Sequence, residues 1–310
     1  LTRADLRLAL GIAAVFLLAA APRLATPAEA VFDECYHART AMQIVLGQAG
    51  MEWTHPPLAK LAMAASLRLA GAVFDPREGV FSPAGPFDPR AVAAWRAPGL
   101  LCGALALLLQ YALARAVSGR RAAAAAAAAL LAVDGVFFVQ SRTAMLNVYT
   151  LCFVLAAALC AWKGCRTDRT GWRVALGVAL GAAAATRWSA LAAFGLLGLF
   201  VAAHDLPRAL RAARPWRDAL RRGALLALSF VLLPAAVYLL AYVPEWRQAA
   251  PDDPVRWFAE RQTDMWRYHT RLAEGHPYAS PWWAWPLLLR PVWYFYSPTG
   301  DGALRGILCV

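Results

Sequence analysis

Seven apolar runs constrain this chain more than any other feature. Residues 6–21, 98–114, 122–139, 146–162, 172–186, 190–203 and 223–243 are apolar, nearly free of charge, and close to the length a helix needs to cross a bilayer. In lipid no water satisfies the backbone, so such runs cross as helices that bond internally. With 60% hydrophobic and only 16% charged residues, the 310-residue chain is too apolar for an ordinary soluble domain. The expected fold class is an all-α polytopic membrane protein.

Charge orients it. The net charge of +12 does not read as a nucleic-acid surface, because the basic residues sit in short connectors between the apolar runs. That is how a membrane protein records its orientation. Arg3 and Arg7, Arg115/Arg120/Arg121, Lys163/Arg166/Arg169/Arg173 and the arginines from Arg208 to Arg222 fall on the cytoplasmic side under one condition. Residues 58–74 must not cross, and 172–203 must cross twice, turning at Arg187-Trp188-Ser189. Residues 58–74, carrying Lys60 and Arg68, are then expected to lie along the interface as an amphipathic helix.

This topology gives a multi-pass protein of the cell membrane. Residues 1–243 form a transmembrane module whose first loop, 22–97, is extracytoplasmic. The turn at Gln140-Ser141-Arg142 and a second, aromatic-rich loop, 244–298, face the same way. Residues 299–310 read as the start of a further span in a truncated chain, and 6–21 as a retained anchor rather than a signal peptide. The six cysteines show no framework spacing, so free thiols are expected and no metal site.

The first external loop holds a cluster that an apolar chain has no structural need for. Asp33-Glu34 precede a short predicted helix, 36–46. Adjacent carboxylates there serve either as helix caps or as a general base with an organising neighbour. His55-Pro56-Pro57 forms a stiff strut, since each proline fixes its own φ and biases the residue before it toward extended geometry. Lys60 follows, and either snorkels to water or serves the site. Arg23 leaves the first run close to this loop. Arg142 lies at an external turn, where the orientation bias does not explain an arginine. Its guanidinium suits a phosphate, and a salt bridge to Asp134 or to Asp33/Glu34 is the alternative. Arg187, at the next external turn, is a similar candidate. The aromatic block from His276 and Tyr278 to Arg290 and Tyr296 either anchors the interface or stacks on a sugar, with His276 and Arg290 near phosphate. Transporters carry their polar groups at mid-membrane; here they gather at one face, which points away from a non-catalytic transporter or lipid-binding protein.

Together these blocks resemble the protein O-mannosyltransferase family, the dolichyl-phosphate-mannose–protein mannosyltransferases and their bacterial relatives. The resemblance is carried by Phe32-Asp33-Glu34, His55-Pro56-Pro57-Leu58-Ala59-Lys60 and Ser141-Arg142-Thr143-Ala144-Met145-Leu146. Ala185-Thr186-Arg187-Trp188-Ser189 and His276-Pro277-Tyr278 through Arg290-Pro291 follow in the family's order. It implies a GT-C glycosyltransferase fold with its site at the extracytoplasmic face. It implies inverting transfer of a hexose, mannose in the family, from a polyprenyl or dolichyl phosphate to Ser/Thr hydroxyls of exported polypeptides. A glycolipid or cell-envelope polymer is the alternative acceptor. Asp33 would be the base, with Glu34 beside it. Arg23 and Arg142 would organise the loop and the donor phosphate, and His55 and Lys60 would shape the donor site. No metal and no cofactor beyond the lipid-linked donor is expected. Two positions depart from the family's pattern. Asn147 stands where many members carry aspartate, and Thr186-Arg187-Trp188 replaces Cys-Lys-Trp. No large soluble module interrupts 244–298, which fits a bacterial form.

Overall fold

The structure, a computed structural model, describes residues 1–76, 87–271, 279–287, 289–290, 292–298 and 304–309. Helices dominate it. Among the described residues five stretches can cross a membrane by length and composition: Arg3–Arg23, Pro89–Ser118, Leu146–Thr167, Trp188–Leu210 and Pro215–Ala249. They contain α1 (Arg3–Ala20), α4 (Pro89–Ser118), α7 (Leu146–Thr167), α9 (Leu191–Leu210), and α10 (Pro215–Ala227) joined to α11 (Leu233–Ala249). A single π-helical turn, Leu228–Leu232, makes that last join.

The run 122–139 is expected as one helix, and the structure breaks it. α5 (Arg121–Val133) and α6 (Gly135–Ser141) meet at 67°. Asp134 causes the break: its backbone is extended, and its carboxylate caps α6 by accepting the Phe137 N–H at 2.7 Å. Residues 172–203 also divide, into α8 (Thr170–Ala184) and α9, around an extended Arg187. At 15 residues α8 is shorter than the roughly 20 that span a bilayer unaided. It is also enclosed, with Leu176, Ala179 and Leu180 buried beside Val201 of α9.

Of two short helices, α2 (Glu34–Val45) packs on α3 (Leu58–Ala70), and α3 packs against α4. α3, within the expected interfacial segment 58–74, has 13 residues and is too short to cross. Its Met63 and Leu67 are buried with Met42 of α2 and Trp95 of α4 in the largest apolar cluster. At the opposite end of α1, Thr2 and Asp5 form a capping box, and the buried Asp5 accepts from Arg115, Arg121 and Tyr111. Beyond α11, α12 (Pro254–Arg271) is an amphipathic helix with Met265 on its buried side. Where a further span is expected to start at 299, β2 (Leu304–Cys309) instead pairs antiparallel with β1 (Val292–Pro298). Six residues that include Arg305 and Gly306 are too few to commit to a helix, and the aromatic-rich β1 offers them an edge.

Candidate active site

Asp33 and Glu34 open α2 and have unlike surroundings. Glu34 is fully buried. Its two oxygens accept from Nε and Nη2 of Arg96 at 2.8 and 2.7 Å, and from the N–H groups of Val31 (2.8 Å) and Ala144 (2.7 Å). Arg96, near the start of α4, also donates to the carbonyls of Leu24 and Pro27, both at 2.9 Å, and of Glu29 at 2.8 Å. A buried pair with its hydrogen bonds satisfied fixes the geometry around it. Here it draws loop 24–31, α2, α4 and the turn before α7 to one point.

Asp33 occupies the N-cap position of α2 but caps nothing, so the capping role is not realised. Among the described residues no group donates a hydrogen bond to its carboxylate. Burial raises its pKa above the ordinary carboxylate value, while the His37 and Arg187 charges pull it back and Glu52 adds to the rise. Phe32, just before it, has φ 51°, which non-glycine residues seldom adopt. The Phe32 ring stacks on Tyr294 of β1 with centroids 4.8 Å apart. The hydroxyl of Tyr294 in turn accepts from Gln140 at 2.8 Å.

The strut is held from inside. Lys60 is buried and ion-paired to Glu52, and its ammonium also donates to the carbonyls of Glu52 (2.9 Å) and His55 (2.7 Å). The snorkelling alternative is thereby excluded. Glu52 further accepts from the Thr54 hydroxyl and the His55 N–H. Burial alone would raise the Glu52 pKa, but Lys60 and His37 outweigh it and hold it at about 2. Burial pushes His55 down to about 3, so its ring is neutral near pH 7. His37 is also lowered by burial, and its Nδ1–H donates to the Ala144 carbonyl at 3.0 Å. Pro56 and Pro57 are buried, and the Leu58 N–H reaches the Ala185 carbonyl at 3.0 Å. That bond ties the strut to the Arg187 turn.

Arg187 donates to the side-chain oxygen of Asn147, and among the described residues no carboxylate pairs with it. A neutral amide leaves its charge uncompensated, and that charge acts on both Asp33 and His55. α12 closes over the same place. His269 donates from Nε2 to the Thr54 carbonyl at 2.8 Å and stacks on His55 at 5.3 Å. Trp188 lies 6.5 Å from both the Trp266 and His269 rings, and Tyr268 meets Trp53 edge-on at 5.8 Å.

Other candidates sit further from this centre. Arg142 donates to the carbonyls of Arg23 (3.2 Å) and Thr26 (3.1 Å), so it organises the loop backbone. Of the salt-bridge alternatives, Asp134 caps α6 and Glu34 is taken by Arg96, while the Asp33 carboxylate accepts no hydrogen bond among the described residues. The Arg23 guanidinium turns back onto the Ala19 carbonyl at 2.7 Å. Arg290, exposed, donates to the Ala279 carbonyl at 2.7 Å. His276 and Tyr278 lie outside the described residues. Sequence reasoning missed Arg96, Glu52, His37 and His269. Arg96 had a signal, a charge two residues before an apolar run. Cys165, His204 and Asp205 bring ligand atoms within 4.8 Å of one another near the far end of α7 and α9. Arg173 and Arg222 already neutralise that aspartate, so the group is no better suited to a cation.

Residues 11–248 match the family model of the dolichyl-phosphate-mannose-protein mannosyltransferases. The chain belongs to that family. Residues 254–302 match a second model, the C-terminal four-transmembrane region of protein O-mannosyltransferases. The polyprenol-phosphate-mannose–protein mannosyltransferase of Mycolicibacterium smegmatis is 31% identical over 87% of this chain and 60% of its own length. That of Mycobacterium tuberculosis is 30% identical, over 85% and 58%. The chain thus spans about 60% of the length of the curated relatives it matches. A solved structure of the Saccharomyces cerevisiae protein O-mannosyltransferase Pmt1-Pmt2 complex bound to the sugar donor superposes with a TM-score of 0.67. It is 24% identical and covers 80% of this chain and 34% of that one. This likeness fixes the fold as the membrane glycosyltransferase fold of the family, and this member as a multi-pass membrane protein.

Proposed function

We propose that this chain carries the catalytic part of an inverting glycosyltransferase, moving mannose from a polyprenyl phosphate to Ser/Thr hydroxyls of exported proteins. The site would face the extracytoplasmic side of the cell membrane. One observation carries the reading: Asp33, a half-buried carboxylate that accepts no hydrogen bond among the described residues, shares its surroundings with Arg187, a guanidinium that no carboxylate pairs with among those residues. Asp33 takes the proton of the acceptor hydroxyl as its oxygen attacks the anomeric carbon. The bond from that carbon to the phosphate oxygen breaks, and the carrier leaves as polyprenyl phosphate, its charge met by Arg187. Glu34 acts as the organiser. Pro56 and Lys60 hold the strut, His55 presents a neutral ring to the donor, and Arg23 and Arg142 hold the loop. His276 and Arg290 would meet the donor phosphate, and Tyr278 the sugar. No metal and no further cofactor enters this scheme.

The test is sugar transfer by membranes carrying the intact protein, given labelled polyprenyl-phosphate mannose and a Ser/Thr-rich peptide. Label in the peptide that vanishes with Asp33→Asn is the expected result. Label only in lipid or polymer would move the acceptor, and unchanged transfer by the variant would remove Asp33 from the chemistry.

A further inference from the structure

The turn between α9 and α10 carries charge that the fold does not use. In the other basic segments some arginines close on buried acids. Arg115 and Arg121 meet Asp5 at 3.2 and 3.0 Å, while Arg173 and Arg222 meet Asp205 at 2.8 and 3.2 Å. Residues 206–217 hold four arginines, Arg208, Arg211, Arg214 and Arg217, and no acidic residue. All four are exposed, and none makes an ion pair among the described residues. Apolar side chains alternate with them and are exposed as well: Leu210 at 68%, Trp216 at 62% and Leu220 at 66%. The Arg217 guanidinium lies over the Trp216 ring, 4.9 Å from its centroid. The turn is firmly seated, because Arg222 ties α10 both to Asp205 of α9 and to its own Asp218.

Position adds to composition. α9 starts beside Trp188 and runs 20 residues to Leu210, about 30 Å of helix. The patch therefore lies a membrane's thickness from Arg187. Cations, an interfacial tryptophan and exposed leucines at the end of a spanning helix match the layers of a lipid surface: phosphate, headgroup level and acyl edge.

We propose that these four arginines, with Leu210 and Trp216, form a binding surface for anionic phospholipid headgroups at the membrane face opposite the candidate active site. The experiment titrates the intact protein in mild detergent with phosphatidylglycerol and with phosphatidylcholine, and counts bound lipid by native mass spectrometry. Phosphatidylglycerol is expected to bind at least about tenfold more tightly. The variant Arg208→Gln/Arg211→Gln/Arg214→Gln/Arg217→Gln is expected to lose that preference, and the fourfold Lys variant to keep it. Equal binding of the two lipids, or a preference surviving in the Gln variant, overturns the proposal. So does displacement of the lipid by excess inorganic phosphate, which would mark a site for free anions. Should the fourfold variant not fold, Arg211→Gln and Arg214→Gln are read singly. Each is expected to lose roughly two- to fivefold, and no loss in either is again fatal to the idea.

Discussion

Burial works against the ionisation of Asp33, and that gives the chemistry a measurable handle. The proposed base must be ionised, so transfer is expected to fall as pH drops through the pKa of Asp33. With that pKa raised, the acid limb of the rate profile is expected above the ordinary aspartate value of about 3.9. Stability follows with the opposite sense. A carboxyl that holds its proton more tightly when folded loses stability as pH rises from the ordinary value through the raised one. Asp33→Asn should therefore abolish transfer while leaving Tm unchanged or higher; a fall of several degrees would make Asp33 a structural residue. Glu34→Gln should act on the fold first. It leaves the Arg96 charge buried without a carboxylate, at a cost of about 3–5 kcal/mol, and thermal unfolding of the purified protein would read the loss. The pair itself was legible in the sequence, but its division of labour was not. That division is set by Arg96, 62 positions away, and the Ala144 N–H, 110 positions away. Lys60 was ambiguous for a similar reason, since its acid lies across the turn that the prolines impose. His269 left no signal, because its partner Thr54 is 215 positions distant.

At the scale of elements, apolar runs announced the helices and said little about what each packs on. The break at Asp134 depends on a single capping side chain, and a reading of the run as continuously apolar averages over it. α8 shows the same limit from another direction. Its Gly177 and Gly181 are four residues apart and meet α11 so closely that a Cβ at Gly181 would lie 2.8 Å from the Pro234 Cα and 3.0 Å from its carbonyl oxygen. Backbone cannot swing aside as a side-chain tip does, and small residues at such spacing let membrane helices approach. Gly181→Ala is thus expected to destabilise by about 1–3 kcal/mol, although alanine is intrinsically the better helix former. Gly195→Ala in α9, where a Cβ meets nothing within 4 Å, should be neutral or stabilising by up to about 1 kcal/mol. Paired thermal-unfolding curves decide it, and equal shifts for the two variants would mean that α8 and α11 are not in tight contact.

The molecule as a whole has two chemically distinct ends. At one, the Asp33 loop, the Glu52–Lys60 strut, the Arg187 turn, α12 and β1 converge. At the other lie the Asp5 cluster, the Asp205 cluster and the arginines of the α9–α10 turn. Charge in the connectors made this polarity legible before any contact was known. The roof over the site was not legible, because an amphipathic helix such as α12 records that one face is covered but not by what. The orientation can be read directly with single cysteines in a background where all six native cysteines are replaced by serine. Gln48→Cys follows α2 and Ala213→Cys lies among the turn arginines, and both positions are exposed. A membrane-impermeant maleimide is expected to label position 48 in intact cells and position 213 only after lysis. Labelling at 213 from outside would turn the molecule over. The arginines would then face away from the cytoplasmic leaflet, and exported proteins would be beyond the reach of Asp33.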